Sequence, residues 1–215
     1  PATVVMTKNA FDRFADEVLR FKEWAPHHQG SYGEWECDYE HWNELWAATE
    51  TLMETCAHET PDLAIGGELL YTIARDNEIE RLRCELLKYP ELLRYLARIG
   101  IDCPDRDAKW QIVVSVADAR LSDAADLIRP YLADSDEYVR RRSLLAIASF
   151  SPREAEEMAK GWMDDEFEYS RIAGLHVLDI VNADSISFYL EKHADDPSRH
   201  VRTNVEQIRK KRQKA

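Results

Sequence analysis

Residues 134–147 read DSDEYVRRRSLLAI, and related stretches return at a fixed interval, as DEFEYSRIAGLHVL over 165–178 and DPSRHVRTNVEQIR over 196–209. Each copy opens with an Asp and carries an Arg six residues later, and successive copies start 31 residues apart. The paired positions are Asp134 and Arg140, Asp165 and Arg171, and Asp196 and Arg202. Such self-similarity is typical of proteins built from stacked structural repeats.

The apolar positions inside each copy have helical spacing. Val139, Ser143, Ala146 and Ile147 follow the i, i+4, i+7, i+8 pattern of one helix face. We therefore predict that each copy is the second helix of a helix pair. Small residues at Ser143 and Gly174 would let neighbouring helices approach closely. We predict that the Asp caps the helix N-terminus and that the Arg reaches back to that turn or to the Asp of the next unit.

These residues also resemble a known family. An Asp, then an Arg six residues on, then small and apolar helix positions is similar to the second helix of HEAT repeats. Pro130, within 127–132, looks like the proline that kinks many HEAT first helices. The resemblance covers residues 105–212 and departs from the usual pattern at Ser170 and at polar residues 203–204. It implies an all-α fold, an α-solenoid of about five or six stacked antiparallel helix pairs with a period near 31 residues.

The first half of the chain is predicted to be helical but less regular. We expect one α-helical domain over 1–215, with irregular N-terminal helices over 1–104 and regular repeats over 105–215. Thr60 followed by Pro61 is typical of a helix start. The basic run at residues 209–214 is interpreted as a solvated helix end, where cations are favourable. No segment alternates in the manner of a strand, so we predict no sheet.

Composition limits the classes of function. The chain has 215 residues, 41 acidic against 28 basic, and a formal net charge of −13. An acidic surface repels phosphate, which argues against direct nucleic-acid binding, and it attracts a basic protein. The alternative is that the charge serves solubility alone.

The expected compartment is the cytoplasm. The four cysteines show no closely spaced pair, and we find neither a secretion signal nor an apolar run of about 20 residues. We therefore expect free thiols and no membrane association.

The sequence contains few residue patterns that are typical of catalytic or metal sites. Cys37 and His41 are one loose pair, whereas a structural zinc site needs four convergent ligands. Nucleophile-elbow and phosphate-loop motifs are absent from the sequence. HEAT-type hydroxylases that hold iron carry repeated His-Glu pairs, and here only residues 58–59 have that form. We predict no catalytic, cofactor or metal residues and no enzymatic activity. The alternatives are a HEAT-type lyase or chaperone acting on a chromophore or protein substrate, and a generic scaffold.

Two groups of residues are candidates for partner binding. In the first, aromatic side chains alternate with acids, which suits an interface anchor for a basic protein. Its members are Tyr32, Glu34, Trp35, Glu36, Asp38 and Tyr39. The alternative is a loop whose rings cover the N-terminal helices.

The second group consists of the acidic turns between repeats. Its members are Asp134, Asp136, Glu137, Asp164, Asp165, Glu166 and Glu168, with Asp195 and Asp196 in the third copy. The alternative is helix capping and solvation. Some small acidic proteins with degenerate HEAT repeats are similar to immunity proteins, which neutralise toxic nucleases. We therefore expect a protein that binds and inhibits a basic toxin.

Overall fold

The computed structural model describes residues 9–28 and 35–214. Over these residues it contains twelve α-helices, four short 3-10 helices and no β-strand. The predicted all-α class is confirmed. Within the same residues, no helix has both the length and the apolar character that a membrane span requires.

The helices follow one another through short connections. They are α1 (Ala10–Trp24), α2 (Trp42–Cys56), α3 (Leu63–Arg75), α4 (Arg81–Leu86), α5 (Pro90–Ile99), α6 (Arg106–Asp118), α7 (Ala124–Ile128), α8 (Glu137–Ile147), α9 (Pro152–Trp162), α10 (Glu168–Ile180), α11 (Ile186–Lys192) and α12 (Arg199–Arg212). The 3-10 helices are Ala25–His27, Trp35–Asp38, Gly100–Asp102 and Arg129–Ala133.

The chain divides into two compact units, Pro1–Ala119 and Arg120–Ala215. In the first unit, α1 packs on α2, and α6 packs on α3, α4 and α5. The apolar stripes of α1 and α2 are buried, including Phe14, Phe21, Leu45 and Leu52. Helix α6, which the sequence groups with the regular repeats, therefore packs on the irregular N-terminal helices.

The start of α3 differs from the prediction at Thr60. The helix begins at Leu63, and its N-cap is Asp62, whose carboxylate accepts a hydrogen bond from the Ile65 N–H at 2.9 Å. Asp is a stronger cap than the Thr-Pro pair two residues earlier, because its carboxylate also meets the positive end of the helix dipole.

The second unit is built around α10. This helix packs between α8 and α12, while α9 packs on α8 and α10, and α11 packs on α10. Gly174 lies so close to α9 that an added Cβ would stand 2.8 Å from Met163 Sδ and 3.0 Å from the Ala159 carbonyl oxygen. The predicted close approach is confirmed at this position. At Pro130 the chain passes from α7 into the 3-10 helix Arg129–Ala133, because proline cannot continue α-helical hydrogen bonding.

Candidate partner-binding surfaces

The turns before α8, α10 and α12 share one arrangement. In each turn the Asp carboxylate accepts a hydrogen bond from the backbone N–H two residues later. The three distances are 2.8 Å from Asp136 to Asp134, 2.8 Å from Phe167 to Asp165, and 2.9 Å from Ser198 to Asp196. The predicted N-cap role of these Asp residues is wrong, since the caps themselves lie two positions later. Each Asp instead closes an Asx turn that leads into the helix.

The Arg of each copy reaches back to the same turn, as predicted. Its Nη1 donates to the carbonyl oxygens six and five residues earlier. The distances are 2.7 and 2.9 Å for Arg140, 2.7 and 3.0 Å for Arg171, and 2.5 and 3.0 Å for Arg202. The same pair of hydrogen bonds therefore holds the starts of α8, α10 and α12.

Arg171 also binds the Asp of the next copy. Its Nε and Nη2 donate to the two carboxylate oxygens of Asp196 at 2.9 and 2.7 Å. His193 Nδ1 lies 3.0 Å from the same carboxylate, which is buried with only 6% of the residue exposed. Burial alone would raise the pKa of Asp196, but hydrogen bonds from Arg171, His193 and the Ser198 N–H outweigh it and lower the pKa to about 2. This charged cluster joins α10 to the turn before α12.

The N-cap position carries a different residue in each copy. Asp136 and Ser198 each accept hydrogen bonds from two backbone N–H groups with their side chains. Phe167, at the equivalent position before α10, has no side chain that can accept them. Its ring is 41% exposed and lies 5.4 Å from the ring of Tyr169, which is 40% exposed. We call residues 164–169, with this ring pair and its neighbouring acids, the acidic–aromatic turn.

Three acids precede Phe167 in sequence, and a fourth stands between the two aromatic residues. Asp164, Asp165 and Glu166 are exposed, and Glu168 is half-buried. Asp164 pairs with Lys192 at 2.5 Å, which lowers its pKa through the hydrogen bond from that amine. Neither Glu166 nor Glu168 is the N-cap residue of α10, so helix capping does not explain these two acids.

The acids of the preceding turn have more complete local roles. Asp134 closes its turn, and Asp136 caps α8. Glu137 forms an ion pair with Arg141 at 2.6 Å, one helical turn away. Capping and pairing therefore account for these three predicted candidates without a partner.

The first predicted candidate segment lies partly outside the described residues, since Tyr32 and Glu34 fall within 29–34. The backbone at Trp35 belongs to the 3-10 helix Trp35–Asp38, and Asp38 is exposed. Tyr39 is buried among Phe21, Trp24 and Trp42, and its ring meets that of Phe21 edge-on at 4.9 Å. Desolvation by this burial, with nearby carboxylates, raises the pKa of Tyr39 to about 12. Tyr39 therefore belongs to the core of the N-terminal helices, as the alternative interpretation expected.

Glu36 lies instead at a cavity of about 150 Å³ in the first unit. Two stacked indoles form part of its wall, with Trp42 and Trp46 centroids 5.3 Å apart. The residues that line it are Glu36, Trp42, Trp46, Arg75, Asp76, Asn77, Glu78 and Ile79. Of these residues, only Glu36 was predicted from the sequence as a candidate site residue.

Asp76 is the buried acid of this cavity. One carboxylate oxygen accepts from Trp46 Nε1 at 3.1 Å and the other from the Leu82 N–H at 2.7 Å. Desolvation raises its pKa to about 6, although these hydrogen bonds and the charge of Arg81 act in the opposite direction.

The basic C-terminal run is also not merely a solvated helix end. Lys211 and Arg212 bind the two carboxylate oxygens of Asp179, at 2.7 and 2.8 Å. The side chain of Asp179 is only 4% exposed, and Arg209 pairs with Glu191 at 2.8 Å. These cations therefore compensate acids of α10 and α11.

No cluster of three or more His, Cys, Asp or Glu side chains in the described part of the chain has the geometry to hold a metal ion. Burial raises the pKa of the Cys56 thiol to about 11, so this thiol is a poor nucleophile.

No protein-family model matches this chain, and comparisons with curated proteins and with solved structures also returned no match.

Proposed function

We propose that this chain is a non-catalytic helical repeat protein of the HEAT type, and that it binds and inhibits a basic protein such as a toxic nuclease. The proposed contact is the acidic–aromatic turn at residues 164–169. We propose further that the second unit is a short α-solenoid with a 31-residue period. The recurring Arg-to-turn hydrogen bonds and the packing of α8, α10 and α12 support this arrangement.

One observation carries the functional proposal: Phe167 stands where both neighbouring copies have a helix cap. Replacing a good N-cap by an apolar residue costs about 1 kcal/mol of stability. Burial of part of the ring offsets this cost, and the 41% of the residue that remains exposed is accessible to a partner. A position that departs from the local rule of its own repeat is where function is expected.

The chemistry of this turn selects the class of partner. Two rings can supply the apolar contact that dominates binding energy at protein interfaces. The acids beside them would speed the approach of a positively charged partner and reject acidic proteins. The net charge of −13 extends that attraction over the whole molecule.

The direct test uses the purified products of the two genes that flank this one. Each product is titrated with the chain by calorimetry at about 50 and about 200 mM salt. We expect one basic product to bind tightly, to bind more weakly at the higher salt concentration, and to lose its own activity in the complex. Binding by neither product would contradict the proposed inhibitor role.

A matched pair of variants tests the location. Phe188 and Tyr189 form a second ring pair in the same unit, at 5.2 Å, and Phe188 is 63% exposed. Phe167→Ala should weaken binding about 30-fold, as expected when a central aromatic residue is lost, and Phe188→Ala should change it less than about twofold. Equal effects of the two variants would place the contact elsewhere.

A further inference from the structure

The cavity of the first unit has firm apolar walls. Trp42 and Trp46 stack with an interplanar angle of 23°. The indole N–H of Trp42 donates to the Glu36 carbonyl oxygen at 2.6 Å, and that of Trp46 donates to Asp76. Ile79 adds an exposed aliphatic side chain to the lining. Because the indoles are fixed by stacking and hydrogen bonds, a ligand entering the cavity would not pay to order them.

The charge on the lining is predominantly negative. Among the described lining residues, Glu36, Asp76 and Glu78 face one cation, Arg75. Arg81 lies outside the lining, over the Trp46 ring at 5.0 Å, and is paired with Glu50 at 2.6 Å. The Arg75 guanidinium is already bound to the carboxylate of Asp105 and lies 3.7 Å from Glu36. Because Asp105 lies outside the lining and neutralises Arg75, the three lining carboxylates leave the cavity with a negative charge that favours a cation.

The volume limits the size of that cation. A cavity of about 150 Å³ is large enough for a benzene-sized molecule. Apolar walls next to carboxylate acceptors fit a ligand with an apolar body and an ammonium group, which can donate charge-assisted hydrogen bonds. A bare metal ion would leave the indole walls without a contact.

We propose that this cavity binds a small organic amine in its ammonium form. The apolar body lies against Trp42 and Trp46, and the ammonium group donates to the carboxylates of Glu36 and Asp76. This site belongs to the first unit, so it does not depend on the acidic–aromatic turn of the second unit or on the identity of a protein partner.

Three probes of similar shape and different charge test the proposal: benzylammonium, benzyl alcohol and benzoate. Binding is followed on the full chain at pH 7.5 by the NMR signals of the indole N–H groups of Trp42 and Trp46, assigned with Trp→Phe variants. We expect benzylammonium to shift both signals with a dissociation constant on the order of 1 mM, reasonable for about eight non-hydrogen atoms. Benzyl alcohol should bind at least about tenfold more weakly, because its hydrogen bonds are not charge-assisted.

Two matched variants test the role of the carboxylates. Glu36→Gln should weaken benzylammonium binding about tenfold, whereas Glu59→Gln, an exposed acid at a different cavity of the same unit, should leave it unchanged. Thermal unfolding of Glu36→Gln checks that the fold is retained, and if this variant fails to fold, the comparison of the three probes still decides the question.

Four results would overturn the proposal: absence of any shift of these indole signals, equal affinity for benzyl alcohol, tighter binding of benzoate, or equal losses in the two variants. A capped Gly-Lys-Gly peptide separates a free amine from a protein side chain. Tighter binding of this peptide than of benzylammonium would mean that the cavity recognises a lysine of another protein, and would also overturn the assignment to a small amine.

Discussion

The substitution Asp196→Asn should remove the buried charge that joins α10 to the turn before α12. The Asp196 carboxylate accepts two hydrogen bonds from Arg171, one from the Ser198 N–H, and lies 3.0 Å from His193 Nδ1. Its folded-state pKa is about 2, against an ordinary value of 3.8. At about 1.4 kcal/mol per pKa unit, the charged form contributes roughly 2 kcal/mol to folding. Removing one partner of a buried ion pair costs about 3–5 kcal/mol, so we expect a loss of about 3 kcal/mol for Asp196→Asn.

The sign of the pH dependence follows from the lowered pKa. The contribution is fully present above about pH 4 and is lost as pH falls through 4 towards 2, since the unfolded state binds the proton more tightly. Urea unfolding at pH 7 measures the loss of stability in the variant, and urea unfolding at several values below pH 4 measures the pH dependence. Asp196→Asn should lower the unfolding free energy at pH 7 and flatten its decline in acid.

Asp165 is the matched control, because it occupies the same column but is exposed and accepts one backbone hydrogen bond. Asp165→Asn should cost less than about 1 kcal/mol. Equal losses for the two variants, or an unchanged acid limb in Asp196→Asn, would refute the assignment of stability to the buried Arg171–Asp196–His193 cluster.

Three further predictions about stability each concern one site in the structure. Burial raises the pKa of Asp76 to about 6, so the folded state binds this proton more tightly than the unfolded state. The contribution of Asp76 to stability should therefore fall as pH rises from about 4 to about 6. We expect urea unfolding to show a decrease of up to roughly 3 kcal/mol. Gly174→Ala should cost about 1–3 kcal/mol in thermal unfolding, because the new methyl group would stand 2.8 Å from Met163 Sδ and 3.0 Å from the Ala159 carbonyl oxygen. The double change Lys211→Ala and Arg212→Ala should cost about 2 kcal/mol in urea unfolding, since it leaves the buried Asp179 carboxylate without these two cations.

Each of these three predictions has a control. Asp76→Ala should abolish the trend between pH 4 and 6, and persistence of the trend would assign it to another group. Gly161→Ala meets no atom within 4 Å and should be neutral or stabilising, so a comparable loss would exclude a steric cause for Gly174. Lys210→Ala removes an exposed cation from the same helix and should change stability by less than about 0.5 kcal/mol.

The helices and the Asp–Arg turns could be predicted from the sequence because their cause is local. An Arg six residues after an Asp needs only the turn and the first helical residues to reach back to the carbonyls. The sequence analysis placed the helix N-caps two residues too early. The repeated Asp134, Asp165 and Asp196 are easier to recognise in the sequence than the true cap positions, which hold three different residues: Asp136, Phe167 and Ser198. With the register corrected by two residues, the sequence alone would have shown Phe167 at a capping position.

The cavity could not be predicted in the same way. Glu36 precedes α2, Trp46 lies in α2 and Asp76 follows α3, so these residues meet at the cavity only through the tertiary fold. Alternating rings and acids in the N-terminal segment indicated an interface, but Tyr39 is buried in the core. Ring-rich sequences that build a core and those that build an interface share one composition, and only burial distinguishes them.

The central claim is that Phe167 occupies a capping position for binding rather than for folding, as proposed above. Phe167→Ser, which copies the cap of the next repeat, should be measured for unfolding free energy and for partner affinity in the same preparation. We predict that stability changes by less than about 1 kcal/mol, because the gained cap and the lost ring burial act in opposite directions, while affinity falls about 30-fold. Unchanged affinity in a folded Phe167→Ser protein would contradict the central claim.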